Sequence, residues 1–373
     1  MSSDYQWVAT ELRTGELIAE LPELDVGSIT KSLGKFTTTT ASLPLARAPE
    51  NWRRATLQGA TVLNCLDKKA DPQVGVPIWS GFITRRPRQG TGKLELSLAT
   101  VDAYFDRRYV GDRSYNNVDQ NSIVTDLVAS FAATGSNGGI PIRVEVVTAG
   151  AGKVRVRNYK DMSDKTLYSA LTELMGVDGG PEWAVFTEWQ HNPERLTFVL
   201  RVGDRIGSAA ADGLDPNVQF DLPGSLAEFE LMEDYSADNA GNDFMAVSTA
   251  IGDTRPQSEH ILVTDPDRPT FERRFTPSSS IVDVNTLNDH ARKKATLQGG
   301  GTNTLTMVSI SKGVDRVGVT WDVGDDVGVQ IADTVPDFPD GFSAAVRATG
   351  WQIDFGRSID KVTPVLEGVS TED

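Results

Sequence analysis

One stretch limits what this chain can fold into more than any other, the run from Val74 to Val110, VGVPIWSGFITRRPRQGTGKLELSLATVDAYFDRRYV. Val74, Val76 and Ile78 alternate with smaller residues, Gly81 leads into Phe82 and Ile83, and Leu94, Leu96 and Leu98 alternate with Glu95, Ser97 and Ala99. A period of two puts every second side chain on one face, which is the pattern of half-buried strands. Between the two arms, Pro87, Gly90 and Gly92 break any ladder and suit a reversing loop, so Arg85, Arg86 and Arg88 sit at the tip of a β-hairpin. From Asp102 to Val110 charge pairs and aromatics crowd together where the chain leaves the sheet. None of this is a catalytic motif.

Upstream, Leu12 to Leu21 around Thr14-Gly15, Phe36 to Leu45 through four threonines, and Thr56 to Leu66 read as short strands. Residues 1–112 are therefore expected to form a small β-barrel or curled sheet. From Asn116 the pattern changes: Ile123, Leu127 and Phe131 recur at helical spacing up to Thr134-Gly135. Ser163 is a candidate cap for a second helix lined by Leu167, Leu171 and Leu174 and stopped by Gly176. Trp183 to Trp189 and Leu196 to Val202 alternate as a second hairpin, which makes residues 113–213 an α+β module. Residues 214–373 return to strands at Val218 to Leu222, Leu226 to Leu231, Thr304 to Ile310, Val317 to Trp321, Val327 to Ile331, Ala344 to Ile353 and Val362 to Leu366. An irregular piece with a helix around Thr286 to Leu297 interrupts them at about 254–300 and ends at Gly299-Gly300-Gly301. The last strands echo the first hairpin, since Gly350-Trp351-Gln352-Ile353 matches Gly81-Phe82-Ile83, and each is followed by a polar turn and a strand. The fold class read from this is mainly β with an α+β insertion: two similar small barrels and a peripheral module.

Chemistry is sparse. The formal net charge of −16 argues against nonspecific binding to nucleic acid or anionic membrane. Asp204 to Asp243 alone holds ten acidic residues against one basic residue, Arg205. Cys65 is the single cysteine, which excludes an intramolecular disulfide and fits folding in a reducing cytoplasm. The N-terminus lacks a basic flank before an apolar core, and no apolar run is long enough to span a bilayer, so a soluble chain without a standard signal peptide is expected. No metal, nucleotide or nucleophile-elbow motif occurs, and no cofactor is expected. Asp322, Asp325 and Asp326 are the best cation candidates, yet Asp and Gly are also ordinary turn residues. Glu182 and Glu188 are the carboxylates that a glycosidase would pair, and Trp183 and Trp189 the aromatics that a saccharide-binding surface would use.

The GFI strand, the basic turn, LELSL and the closing DRRYV together resemble the opening domain of tail-hub proteins of long-tailed bacteriophages. The resemblance is nearest to the Gp37-like minor tail (baseplate hub) proteins of phages that infect actinobacteria. It covers the first third of the chain well and the rest loosely. It implies a non-enzymatic virion protein of the tail tip, made in the host cytoplasm, with two tube-type barrels per chain and three chains around a channel. Its partners would be two further copies of itself, the distal tail ring, the tape-measure protein and other minor tail or fibre proteins, with DNA passing unbound and no membrane involved. Arg85, Arg86, Arg88, Asp221, Glu228, Glu230 and Asp234 are the channel or interface candidates under this reading, and an acidic lumen would repel phosphates. A saccharide-binding adhesin using Trp183 and Trp189 and a cell-wall hydrolase are the rival readings.

Overall fold

The structure is a computed structural model and describes residues 4–87, 90, 92–147, 152–210, 216–249, 254–277, 281–309, 316–336, 338–356 and 360–367. The N-terminal segment contributes β1 (Tyr5–Glu11), β2 (Leu17–Glu20), β3 (Asp25–Val26), β4 (Ser28–Ser32), β5 (Thr38–Pro44), the one-turn helix α1 (Trp52–Ala55), β6 (Thr61–Asp67), β7 (Val76–Arg85) and β8 (Lys93–Thr100). Seven of these strands pair in the order β2-β1-β6-β7-β8-β5-β3, an open, curled sheet with β2 and β3 at its edges. Leu94, Leu96 and Leu98 are buried on one face, as their alternation requires, and Arg88 lies outside the described residues. Within Leu12 to Leu21 only Leu17–Glu20 is a strand, β2. Gly15 adopts φ +76° and its amide donates to Glu11 O at 2.8 Å, so the chain reverses there and β1 begins earlier, at Tyr5.

The middle segment contains β9 (Arg113–Asp119), α2 (Gln120–Phe131), β10 (Ile142–Val146), β11 (Val154–Tyr159), α3 (Leu167–Met175), β12 (Glu182–His191) and β13 (Glu194–Gly203). β12 and β13 form the expected hairpin, with Trp183 opposite Val202, and β10 extends it as a parallel third strand. Ile123 and Leu127 of α2 and Leu167, Leu171 and Leu174 of α3 are buried, which confirms the helical spacing. The cap of α3 is not Ser163. Ser163 lies in a short 3-10 turn and Asp164 follows at φ +46°, so the helix starts later, where Thr166 Oγ1 accepts from Ser169 N at 3.1 Å. Thr166→Ala should lower the unfolding free energy by about 1 kcal/mol in a urea titration, because one amide of the first turn loses its acceptor.

The C-terminal segment builds a second open sheet from β14 (Gln219–Leu222), β15 (Leu226–Asp234), β19 (Thr302–Ser309), β20 (Asp326–Ile331), β21 (Phe342–Asp354) and β22 (Lys361–Glu367). Between β15 and β19 lie β16 (Asp243–Ala246), β17 (Ile261–Leu262), β18 (Glu272–Phe275) and α4 (Val284–Gln298), which pack together as a small sheet under a helix. Asp283 caps α4, accepting from Thr286 N at 2.8 Å, and the helix outruns the expected Thr286 to Leu297 at both ends. His290 docks α4 on the end of α3 through Nδ1 and Gly176 O at 3.0 Å, and burial holds its pKa down to about 4. Val317 to Trp321 is a turn and not a strand: Gly318 takes φ +77° and its amide donates to Trp321 O at 2.7 Å. Ile310 lies outside the described residues.

The two large sheets share a strand order. The second runs β14-β20-β21-β22-β19-β15, and matching it to β1-β6-β7-β8-β5-β3 pairs the strands in the same chain order throughout. One pairing differs in sense, since β1 is antiparallel to β6 whereas β14 is parallel to β20. The sheets are also joined. β20 pairs only with the first half of β21, and β4 from the N-terminal segment takes the place beside Gly350 to Asp354. Gly81 and Gly350 are each flanked by backbone or by a large ring: a Cβ on Gly81 would meet Trp79 Cη2 at 2.3 Å, and one on Gly350 would meet Lys31 O at 3.1 Å. A single buried cluster runs from Trp7 through Trp183 to Trp351 and Leu366.

Candidate functional site

Several ion pairs partly withdrawn from solvent lie where the segments of this chain meet. Lys31 of β4 donates to Asp322 Oδ2 at 2.7 Å, and Asp322 Oδ1 also accepts from Trp351 Nε1 at 2.7 Å. Arg316 bonds Asp67, which is fully buried at the end of β6, and reaches Asp4 at 3.3 Å. Arg347 of β21 grips Glu182 of β12 through both terminal nitrogens, and Arg205 bonds Asp326. These pairs link the first sheet to the second and the second sheet to the middle module. Burying a charge is tolerated only when a partner and further hydrogen bonds replace water.

A cleft of about 530 Å³ opens at this junction, between β7, β12 and the turn at 318–325. Phe186 stands in its wall with Lys31 Nζ 3.8 Å and Arg201 4.4 Å from the ring centre. Asp102, at the start of the turn after β8, also lines it, and burial pushes the carboxyl up to about 6. Lys31 is answered by Asp322, and Arg201 by Glu188 at 3.0 Å. The ion pairs around the cleft tie β4, the turn at 318–325 and the β12–β13 hairpin together.

The residues singled out from sequence fall into three sets. Arg85 and Arg86 stand at the far end of β7, where Arg86 donates to Arg53 O at 2.9 Å and Thr56 Oγ1 at 3.1 Å and Arg85 is exposed. Glu228 and Glu230 are exposed on β15, an edge strand, whereas Asp234 is held in a turn by Ser236 N at 2.8 Å and Asn239 Nδ2 at 2.5 Å, bonds that lower its pKa. Asp221 is half-buried on β14. Trp183 is 0% exposed, packed tilted against Phe105 and edge-on against Tyr168, so its ring has no face to offer a sugar; Trp189 is half-buried with its indole N–H donated to Gly75 O at 2.8 Å. Glu182 and Glu188 share one face of β12 six residues apart, roughly 20 Å. A glycosidase pair needs about 5–10 Å. Asp325 accepts from Asp322 N and Ser208 N, which makes the Asp322 to Asp326 cluster a braced turn. Among the described residues no group of three or more His, Cys, Asp or Glu side chains is placed to hold a metal ion.

No protein-family model matches the chain, and no curated protein matches it in sequence. Solved structures do. A tail protein from Neisseria meningitidis MC58 superposes with a TM-score of 0.60 at 15% identity, covering 99% of each chain. The 43 kDa tail protein of prophage MuSo2 from Shewanella oneidensis gives 0.56 at 12%, covering 98% of this chain and 99% of that one. The prophage tail protein gp18 from Listeria monocytogenes EGD-e gives 0.52 at 9%, covering 100% and 96%. At these identities the likeness is one of fold, and it extends over the whole length of the tail proteins matched.

Proposed function

We propose that this chain is a structural protein of a phage tail tip, a hub of the Gp37-like minor tail kind, in which three copies close a ring around the channel. The observation that carries the reading is the repeated strand order, β1-β6-β7-β8-β5-β3 and β14-β20-β21-β22-β19-β15, inside one chain. Two like sheets per chain turn a three-fold ring into six similar faces, which suits docking on a six-fold tail tube, and head-to-tail contacts that close give rings. The full-length likeness in fold to tail proteins supports the same reading. The acidic balance of the chain suits a passage for DNA and tape-measure protein, because a negative wall repels phosphates. The segments 1–112 and 214–373 are then the tube units, and 113–213 stands outside them.

Negative-stain electron microscopy and light scattering of the concentrated protein test this. Rings with a central hole and a mass of three chains are expected. A particle of one chain mass at all concentrations would overturn the ring.

A further inference from the structure

Lys31 on β4 and Trp351 on β21 are cross-strand partners at the place where the N-terminal segment is stitched into the second sheet. Their side chains converge on one carboxylate, that of Asp322. Lys31 Nζ lies 2.7 Å from Oδ2, while Oδ1 accepts from both Trp351 Nε1 and Val323 N at 2.7 Å. The carboxylate is held in place, because the Asp322 amide donates to Asp325 Oδ2 at 2.7 Å and Ser208 N donates to Asp325 Oδ1 at 2.6 Å. Little water reaches this contact. The Lys31 side chain is 12% exposed and that of Asp322 19%, Trp351 is buried, and the Phe186 ring covers the ammonium with its centre 3.8 Å away.

Such a pair has the parts of an acyl transfer. Burial lowers the Lys31 pKa below the ordinary lysine value, Asp322 opposes that shift, and Arg201 adds to it. A desolvated lysine gives up its proton more readily and is then a nucleophile. Two N–H donors aimed at one oxygen of the facing carboxyl form the arrangement that stabilises an oxyanion. A nitrogen 2.7 Å from Oδ2 stands about 3–3.5 Å from Cγ, the separation at which held groups react as though each were present at about 10⁵ M or more.

We infer that Lys31 and Asp322 condense after folding into an intramolecular amide, an isopeptide bond between the strand that crosses over and the turn before β20. The ammonium passes one proton to Oδ2, and the lone pair of the resulting amine attacks Cγ. Negative charge gathers on Oδ1, where Trp351 Nε1 and Val323 N hold it. The Cγ–Oδ2 bond then breaks, and the oxygen leaves as water with a second proton from the nitrogen. One amide and one water are formed, without oxidant, metal or outside reagent. The amide replaces two poorly hydrated charges with a neutral group that keeps both donors on Oδ1, which favours it over the ion pair. Joining residues 291 positions apart, the bond keeps β4 on β21 under load, whether or not the chain forms a ring. Lys165 and Glu173 are as withdrawn from solvent and in contact, but among the described residues no further N–H donates to the Glu173 carboxylate, and that pair stays ionic.

The test is intact-mass spectrometry of the full-length folded protein, followed by protease digestion and sequencing of the fragments. The wild type should be lighter than its sequence by the mass of one water. Trypsin should fail to cut after Lys31, and one branched fragment should carry Lys31 joined to Asp322. Lys31→Arg keeps the charge but cannot condense, and it should show the full mass. A wild type that retains the full sequence mass after prolonged incubation overturns the bond. So does a loss of water that persists in Lys31→Arg, or that maps to an Asp-Gly pair such as Asp340-Gly341, where a cyclic imide would account for it. The wild-type fragment decides the matter even where the variant folds poorly.

Discussion

Replacing Arg316 by methionine should lower the unfolding free energy by about 3–5 kcal/mol, the usual cost of removing one partner from a buried ion pair. Asp67 has no exposure at all, and two of its neighbours, Lys69 N and Ala70 N, already donate to Oδ1 at 2.9 Å each. Oδ2 faces Arg316, so methionine there would leave a buried carboxylate oxygen without a counter-charge. The packing lost is smaller, because the aliphatic part of arginine is approximated by methionine and the Tyr5 ring, 5.5 Å from the guanidinium, remains. Asp67→Asn in the Arg316→Met background should return most of the loss, since it removes the charge that needed a partner. Equal losses in the single and double variants would show that packing, not the ion pair, holds this corner. The position matters because Asp67 belongs to the first sheet and Arg316 to the approach to the second. Weakening the pair should therefore split a single denaturation transition into two, as the sheets begin to unfold independently.

Much of the fold was open to reading in the sequence, and the part that was not has a common cause. The β7–β8 hairpin, the β12–β13 hairpin and the buried stripes of α2, α3 and α4 follow from local periodicity, which is set within a few residues. The repeat of one strand order was announced by the Gly81 and Gly350 motifs, although the motifs say nothing of β4. Ser28 to Ser32 alternates around Ile29, a signal five residues long, and only the tertiary structure assigns it to the far sheet. The ion pairs at the junction were hidden for the same reason. Arg316 and Asp67 are 249 positions apart, and Lys31 and Asp322 are 291 apart, so neither residue differs locally from a solvated charge. Trp183 misled in the other direction. Beside Glu182 it resembled a binding platform, but the strand's alternation points it inward, and burial without a surface face follows from parity. Glu228 and Glu230 stand on the exposed side of β15.

Asp102→Asn should make the protein more stable at neutral pH but not in acid. Burial raises this carboxyl to about 6 in the folded chain, against an ordinary value near 3.8. The folded state therefore holds a proton that the unfolded state has released between these values, and stability falls as pH rises through that window. Lys31 and the hydrogen bond from Thr100 moderate the rise without cancelling it. Two pH units correspond to about 3 kcal/mol, so the stability of Asp102→Asn minus that of wild type should grow by up to about 3 kcal/mol between pH 3.5 and pH 7.5. Taking the difference in this way removes any pH-independent cost of seating an amide. It also removes the background from His290, which works with the opposite sign: its pKa is depressed to about 4, so its contribution is present above the ordinary histidine value and is lost as pH falls towards 4. Urea denaturation of both proteins across that range is the measurement. A difference independent of pH would mean that Asp102 is ionised in the folded chain as easily as in the unfolded one, with Lys31 and Asp322 sharing their cleft with a second anion at no cost. A difference that grows as expected would make Asp102 a strained charge at the seam between the sheets, tolerated because Lys31 must be held where β4 crosses from one sheet to the other.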